Sequence, residues 1–129
     1  MFKEVAMRAA KEAGDIQVRY FRKVTKVIEK SFAEGLVSKV DYMCEKKIIS
    51  LIHGKFSDHN IVAEESDTID NKSAYTWYVD PLDGTVNYLY GIKEFGVTIA
   101  VAKDDVIILG VIYFPLTNEW YVAERGKGA

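Results

Sequence analysis

At 129 residues, with 49% apolar and 28% charged side chains, the chain has the make-up of one globular domain large enough to bury a core. A net charge of -2 lacks the basic footprint of a nucleic-acid binder, no apolar run reaches the ~20 residues of a membrane span, and charges interrupt the N-terminal segment where a signal peptide needs its apolar stretch. The expectation is a cytoplasmic protein with neither nucleic acid nor membrane as a partner, and with Cys44 as its single cysteine it can form no intrachain disulfide or cysteine-based zinc site.

From Phe2 to about Ile28 the apolar residues Val5, Ala9, Ala13, Ile16, Tyr20, Val24 and Val27 recur at steps of three and four, which predicts a long amphipathic helix. Gly14 inside it is expected to cost about 1 kcal/mol relative to alanine. Gly35 reads as a breaker, and Ser38 followed three residues later by Asp41 has the spacing of a capping box, so a second helix is expected to start there. Its apolar face is Val40, Cys44, Ile48, Leu51 or Ile52, and Phe56, which makes Cys44 a buried thiol. The helix should end in the turn-rich "SDHN". His53 and His59 flank that turn without any catalytic histidine pattern and read as surface residues.

Past that turn the period changes. "IVA" and "YTWYV" read as short strands separated by a polar loop from Ser66 to Ser73. In "FGVTIAVA", Phe95, Val97, Ile99 and Val101 alternate with smaller or polar residues, the period of a half-buried strand. Turns at Lys103-Asp104-Asp105 and from Pro115 to Glu119 then separate "VIILGVIYF" and "WYVA", completing a β-meander. Helices followed by antiparallel strands predict an α+β domain with two N-terminal helices packed on one face of an antiparallel β-sheet.

Three acidic features stand at strand ends. Glu64-Glu65 follows "IVA", Asp80 follows "YTWYV", and Asp83 follows Leu82 in "DPLDGTVNY". If the two strands are neighbours running the same way, Glu64, Asp80 and Asp83 meet, and three such carboxylates repel one another unless a cation neutralises them. Hard oxygen ligands with a backbone carbonyl, here that of Leu82 beside the rigid Pro81, suit magnesium or manganese. Shared carboxylates also allow a second metal, the arrangement used for displacement at phosphorus. If a short helix begins at Asp83, the N–H groups of Gly84 and Thr85 form an anion site, and the Thr85 hydroxyl can hold a water. Each feature has a plainer use: Asp-Pro and Asp-Gly are common turn formers, Glu64-Glu65 a solvated pair, Asp41 a cap, and Lys30 a solvated lysine. It is their combination that points to a divalent-metal phosphate site.

At these residues the sequence resembles the inositol monophosphatase family of magnesium-dependent, lithium-sensitive phosphatases. The match rests on "AEES" at Ala63 to Ser66, "DPLDGTVNY" at Asp80 to Tyr88, "FGVTIAV" after it and "GKGA" at Gly126 to Ala129. The resemblance implies the N-terminal half of an αβαβα-layered sugar-phosphatase fold, with residues 1–129 as its metal-binding catalytic domain. It implies that Glu64, Asp80, the Leu82 carbonyl and Asp83 hold two or three Mg2+ ions, with Mn2+ as a substitute. By the same resemblance Gly84 and Thr85 hold the substrate phosphate, Thr85 and Asp41 orient and deprotonate the nucleophilic water, and Glu65 and Lys30 stand in an outer shell. The implied substrate is inositol monophosphate or a related sugar or polyol phosphate, with fructose-1,6-bisphosphatase and bisphosphate nucleotidase as neighbouring branches, and the full-length enzyme is implied to be a homodimer. Two departures stand out: Ala63 replaces the commoner glycine, and the family's C-terminal half, with its Trp-Asp-x-Ala-Ala-Gly-like motif, has no counterpart in these residues. The contrasting expectation is a non-catalytic metal-binding fragment or assembly domain with an exposed sheet edge.

Overall fold

A computed structural model describes residues 1–26, 29–64 and 68–127. Helix α1 spans Phe2–Thr25, so its expected extension over Val27 and Ile28 lies outside the described residues. It buries Val5, Ala6, Ala9, Ala10, Ala13, Gly14, Gln17, Phe21 and Val24. Four alanines on one stripe let its backbone approach its neighbours closely. Gly14 has a packing reason: a Cβ there would stand 2.5 Å from Cε2 of Tyr113, so the bare backbone seats that ring.

Helix α2 spans Lys30–Lys55, which corrects the expected start at Ser38. Gly35 is an exposed interior position with open space around it, and Ser38 is exposed on the same helix rather than capping it. A glycine costs a helix about 1 kcal/mol, and the burial of Ala33, Val37, Val40, Cys44, Ile48 and Ile52 along one face outweighs that cost. Cys44 is buried as expected, its thiol pushed up to about 12 by desolvation and, less strongly, by the charge of Asp41.

The strands are β1 (Asn60–Ala63), β2 (Tyr75–Asp83), β3 (Gly96–Lys103), β4 (Val106–Phe114) and β5 (Glu119–Glu124), with a short helix α3 (Thr85–Leu89) between β2 and β3. They form one sheet in the order β1-β2-β3-β4-β5. The meander from β2 to β5 is antiparallel, while β1 runs parallel to β2, so the sheet is mixed. Trp77, Val79, Val97, Ile99, Val101, Leu109, Val111 and Tyr113 project from the sheet into the same core as the buried faces of α1 and α2. The alternating residues Tyr78, Ala100, Gly110, Ile112, Tyr121 and Ala123 belong to the opposite face, where Tyr78 and Tyr121 are exposed. Among the described residues no helix is long and apolar enough to cross a membrane.

His59 corrects the surface assignment: it is buried, its Nδ1 accepts a hydrogen bond from Trp77 Nε1 at 2.9 Å, and its ring stacks on Phe56 with centroids 4.6 Å apart. Phe2 and Tyr75 complete the cluster. Its members come from α1, the end of α2, β2 and the turn before β1, so no local pattern announces it. His53 is half-buried rather than on the surface.

Candidate active site

The parallel pairing of β1 and β2 puts Ala63 opposite Val79; β1 ends there with Glu64 next in the chain, while β2 runs on through Asp80 to Asp83, so Asp80 stands inside its strand rather than after it. These carboxylates are neighbours at the same sheet edge. Asp80 is half-buried, and its carboxyl is raised to about 7 by burial first, then by hydrogen bonding with Glu64 and by the charges of Glu64 and Asp83, with the Leu82 backbone N–H opposing the shift. Its Oδ1 is buried with no hydrogen-bond partner among the described residues.

The local backbone follows from the sequence. Asp80 pairs with Thr98 and Asp83 with Gly96, so β2 uses three steps where β3 uses two, a bulge centred on Pro81 and Leu82. Proline has no N–H to give the ladder, which makes a bulge a permitted place for it. Gly84 then adopts the left-handed conformation at φ 84°, ψ 43° and opens α3. A Cβ at Gly84 would lie 2.9 Å from the Glu94 carbonyl oxygen, so both the dihedral and the space demand glycine. Asn87 Nδ2 donates to the same Glu94 carbonyl at 2.8 Å, tying α3 to the segment before β3.

The remaining candidates gather less tightly. Lys30, Glu34, Ser38, Glu64, Thr85 and Tyr90 line a groove of about 560 Å³ between the start of α2 and α3. Lys30 holds its ammonium 5.7 Å from the Tyr90 ring centroid. Glu64 also lines a second cavity of about 280 Å³ with Asp80 and Thr98, and so joins the groove to the sheet edge. Asp41 sits in the interior of α2 rather than at its start, buried one turn beyond Val37 and Ser38. Asp83 and Thr85 are exposed. Glu65 lies outside the described residues.

Among the described residues no three His, Cys, Asp or Glu side chains form a ready-made metal cage. What the site offers is an oxygen set: two crowded carboxylates, a third close enough for its charge to be felt, and an orphaned buried oxygen. This donor set fits a hard divalent cation such as magnesium, which keeps several waters and needs only one or two protein carboxylates.

Sequence reasoning missed Gln17. Its side chain is fully buried in α1 and its Nε2 donates to the Pro81 carbonyl at 2.8 Å and the Gly96 carbonyl at 2.9 Å. The only trace in the sequence is a lone amide on an otherwise apolar helix face.

Known proteins resemble the chain along nearly its whole length. It is 37% identical over 129 residues to a Haemophilus influenzae protein named Nus factor SuhB, covering 97% of this chain and 48% of that one. It is 38% identical over 127 residues to an Aquifex aeolicus fructose-1,6-bisphosphatase/inositol-1-monophosphatase, covering 98% of this chain and 48% of that one. The crystal structure of the extragenic suppressor protein suhB from Bartonella henselae superposes with a TM-score of 0.86 at 36% identity, covering 98% of this chain and 49% of that one. The chain therefore spans about half the length of the relatives it matches. With the model of the inositol monophosphatase family matching residues 1–129, from the first helix through the Asp80–Thr85 segment to the last strand, the chain belongs to that family.

Proposed function

We propose that this chain forms the metal-binding side of a magnesium-dependent phosphomonoesterase acting on inositol monophosphate or a related sugar or polyol phosphate. The observation that carries the reading is the meeting of Glu64 with Asp80 where the parallel β1–β2 pairing ends, with Asp80 raised to about 7 and its Oδ1 without a partner among the described residues. Glu64, Asp80, the Leu82 carbonyl and Asp83 would hold Mg2+, or Mn2+ in its place. The bound metal supplies neutralisation of the crowded carboxylates and polarisation of the phosphoryl oxygens. The backbone N–H groups of Gly84 and Thr85 bind the phosphate. The Thr85 hydroxyl orients the attacking water and Asp41 takes its proton. Lys30, across the groove from Thr85, adds positive charge where the anionic substrate enters, and Glu65 is assigned to the outer shell.

Magnesium calorimetry with a phosphatase assay tests this on the chain and on Asp80→Asn. Turnover and a magnesium binding heat, both lost in Asp80→Asn, are expected. No magnesium binding at millimolar concentration would overturn the reading. Inositol 1-phosphate, fructose 1,6-bisphosphate and a 3′,5′-bisphosphate nucleotide as alternative substrates separate the three branches of the family.

A second reading, a metal-binding fragment serving mainly in assembly, is favoured by the uncovered sheet face. Thr98, Ala100, Gly110, Ile112, Tyr121 and Ala123 line an apolar depression of about 670 Å³ there. The relative named as a Nus factor supports the same alternative. Magnesium binding without turnover by the 129-residue chain would select it.

A further inference from the structure

The bulge that carries the candidate carboxylates has a hydrogen-bonding problem. Between the Asp80–Thr98 and Asp83–Gly96 pairs, β2 has one residue too many for β3, and Pro81 lacks the N–H that a strand residue would offer. The carbonyls of Pro81 and Gly96, one on each strand of this irregularity, accept from the helix layer. Gln17 donates to both. One terminal amide reaches two carbonyls that are 64 and 79 residues away in sequence, at 2.8 Å and 2.9 Å.

Three observations fix the orientation of that amide and its reach. Both acceptors are carbonyl oxygens, so only the NH2 end can face them, and a flipped amide would set oxygen against oxygen twice. The Oε1 end is accordingly buried with no partner among the described residues, a cost that an apolar side chain would not incur. The backbone of the same residue is also engaged: Tyr88, fully buried, donates its hydroxyl hydrogen to the Gln17 carbonyl at 2.7 Å. Gln17 thus holds the segment Asp80 to Tyr88 at both ends, at Pro81 through its side chain and at Tyr88 through its main chain.

We propose that Gln17 is a positioning residue that fixes the Pro81 peptide, and through it the placement of Asp80, the Leu82 carbonyl and Asp83, for divalent-metal binding. This rests on the metal-site reading above. The contrasting role is purely structural, in which Gln17 only satisfies two buried carbonyls. The two roles differ in what happens when the protein is fully folded: loss of a structural bond lowers the melting temperature, whereas loss of a positioning bond weakens metal binding far below that temperature.

The test is Mn2+ binding to the 129-residue chain, followed by the decrease of the free-ion electron paramagnetic resonance signal well below each variant's melting temperature. Gln17→Met removes both donors while keeping length and bulk. It should weaken Mn2+ binding about tenfold, the lower end of the loss seen when support behind a metal ligand is removed. Val101→Ala, a cavity variant at the fully buried position opposite Trp77, lowers stability elsewhere in the sheet and should leave Mn2+ affinity within about twofold of the parent. Should Gln17→Met not fold, Gln17→Asn decides by the same criterion, since it keeps an amide one methylene too short to span both carbonyls. Parent-like Mn2+ affinity in Gln17→Met, with binding abolished in Asp80→Asn, would overturn the positioning role and leave the metal site standing. No Mn2+ binding by the parent chain would overturn the metal site itself and the inference with it. Failure of both Gln17 variants to fold would assign the residue a structural role and overturn the inference.

Discussion

The two ends of the β1–β2 pair treat their buried polar groups in opposite ways. At the start of the strands the polar groups of His59 and Asn60 find their partners within the chain. His59 accepts from Trp77 and stacks between Phe56 and Tyr75. Its carbonyl accepts from the Asn71 side chain, and Asn60 Oδ1 accepts from the backbone N–H groups of Asn71 and Ser73. Where the pairing of these strands finishes, Glu64 and Asp80 crowd together and Asp80 Oδ1 has no partner among the described residues. One end spends its polar groups on stability; the other keeps a carboxylate oxygen open among the described residues. Native proteins satisfy nearly all buried polar atoms, so an exception flanked by repelling charges accords with the metal binding proposed for this end.

The largest way to break the contrast is at the satisfied end. Trp77 is fully buried and donates the one hydrogen bond that His59 Nδ1 receives. Trp77→Ala should cost about 3–5 kcal/mol in urea unfolding, through the cavity and the lost bond together. The next effect lies at the unsatisfied end. Gly84→Ala forces a side chain into a left-handed backbone and against the Glu94 carbonyl. About 2 kcal/mol of destabilisation is expected by the same measurement, with the faster amide exchange confined to α3 and the segment before β3.

Much of this arrangement is legible in the sequence, for reasons that are local. The periodicity of α1, the alternation in β3 and the turn residues of the meander each lie within one window. The meeting of Glu64 with Asp80 follows once two neighbouring strands are taken as parallel. What stays hidden depends on distant partners. The start of α2 at Lys30 is obscured by Gly35, which is tolerated because buried residues on both sides of it hold the helix. That placement also puts Asp41 in a helix interior instead of at a cap. His59 is buried by rings from three separate places, and Gln17 finds its acceptors far along the chain. Polar residues whose partners are remote in sequence carry no periodic signature of their own.

Acidity should sharpen the contrast, because the two ends titrate with opposite signs. Burial holds the His59 imidazole below its ordinary value, His53 adds to this, and Asp58 opposes it. A histidine whose folded pKa is depressed contributes its full stability above the unfolded value of about 6.5 and loses it as the pH falls below that value. Protonation of Nδ1 removes the acceptor for Trp77, so acidification from pH 7 to pH 5 should cost about 1 kcal/mol, the worth of one buried hydrogen bond. In His59→Asn, which keeps an acceptor and cannot titrate, this portion of the pH dependence should disappear from a series of thermal melts. A slope as steep as the parent's would show that the aromatic cluster is not its source.

The smallest effect concerns Asp80 in the metal-free chain, and its sign is the reverse. A carboxyl raised from 3.8 to about 7 in the folded state contributes stability that is complete below the unfolded value and is lost as the pH rises through 7, where its charge must form beside Glu64 and Asp83. Asp80→Asn removes that charge while keeping a side chain of the same shape. Because Asp80 is only half-buried, water screens part of the repulsion, and the gain in the metal-free variant at pH 8 should not exceed about 1 kcal/mol. The gain should vanish near pH 4, where the parent carboxyl is already protonated. Millimolar magnesium should invert the order at pH 8, stabilising the parent by its binding energy and leaving Asp80→Asn unchanged. A parent whose melting temperature ignores magnesium, or a variant that gains nothing in its absence, would mean that the carboxylates at this end are as self-sufficient as the histidine at the other.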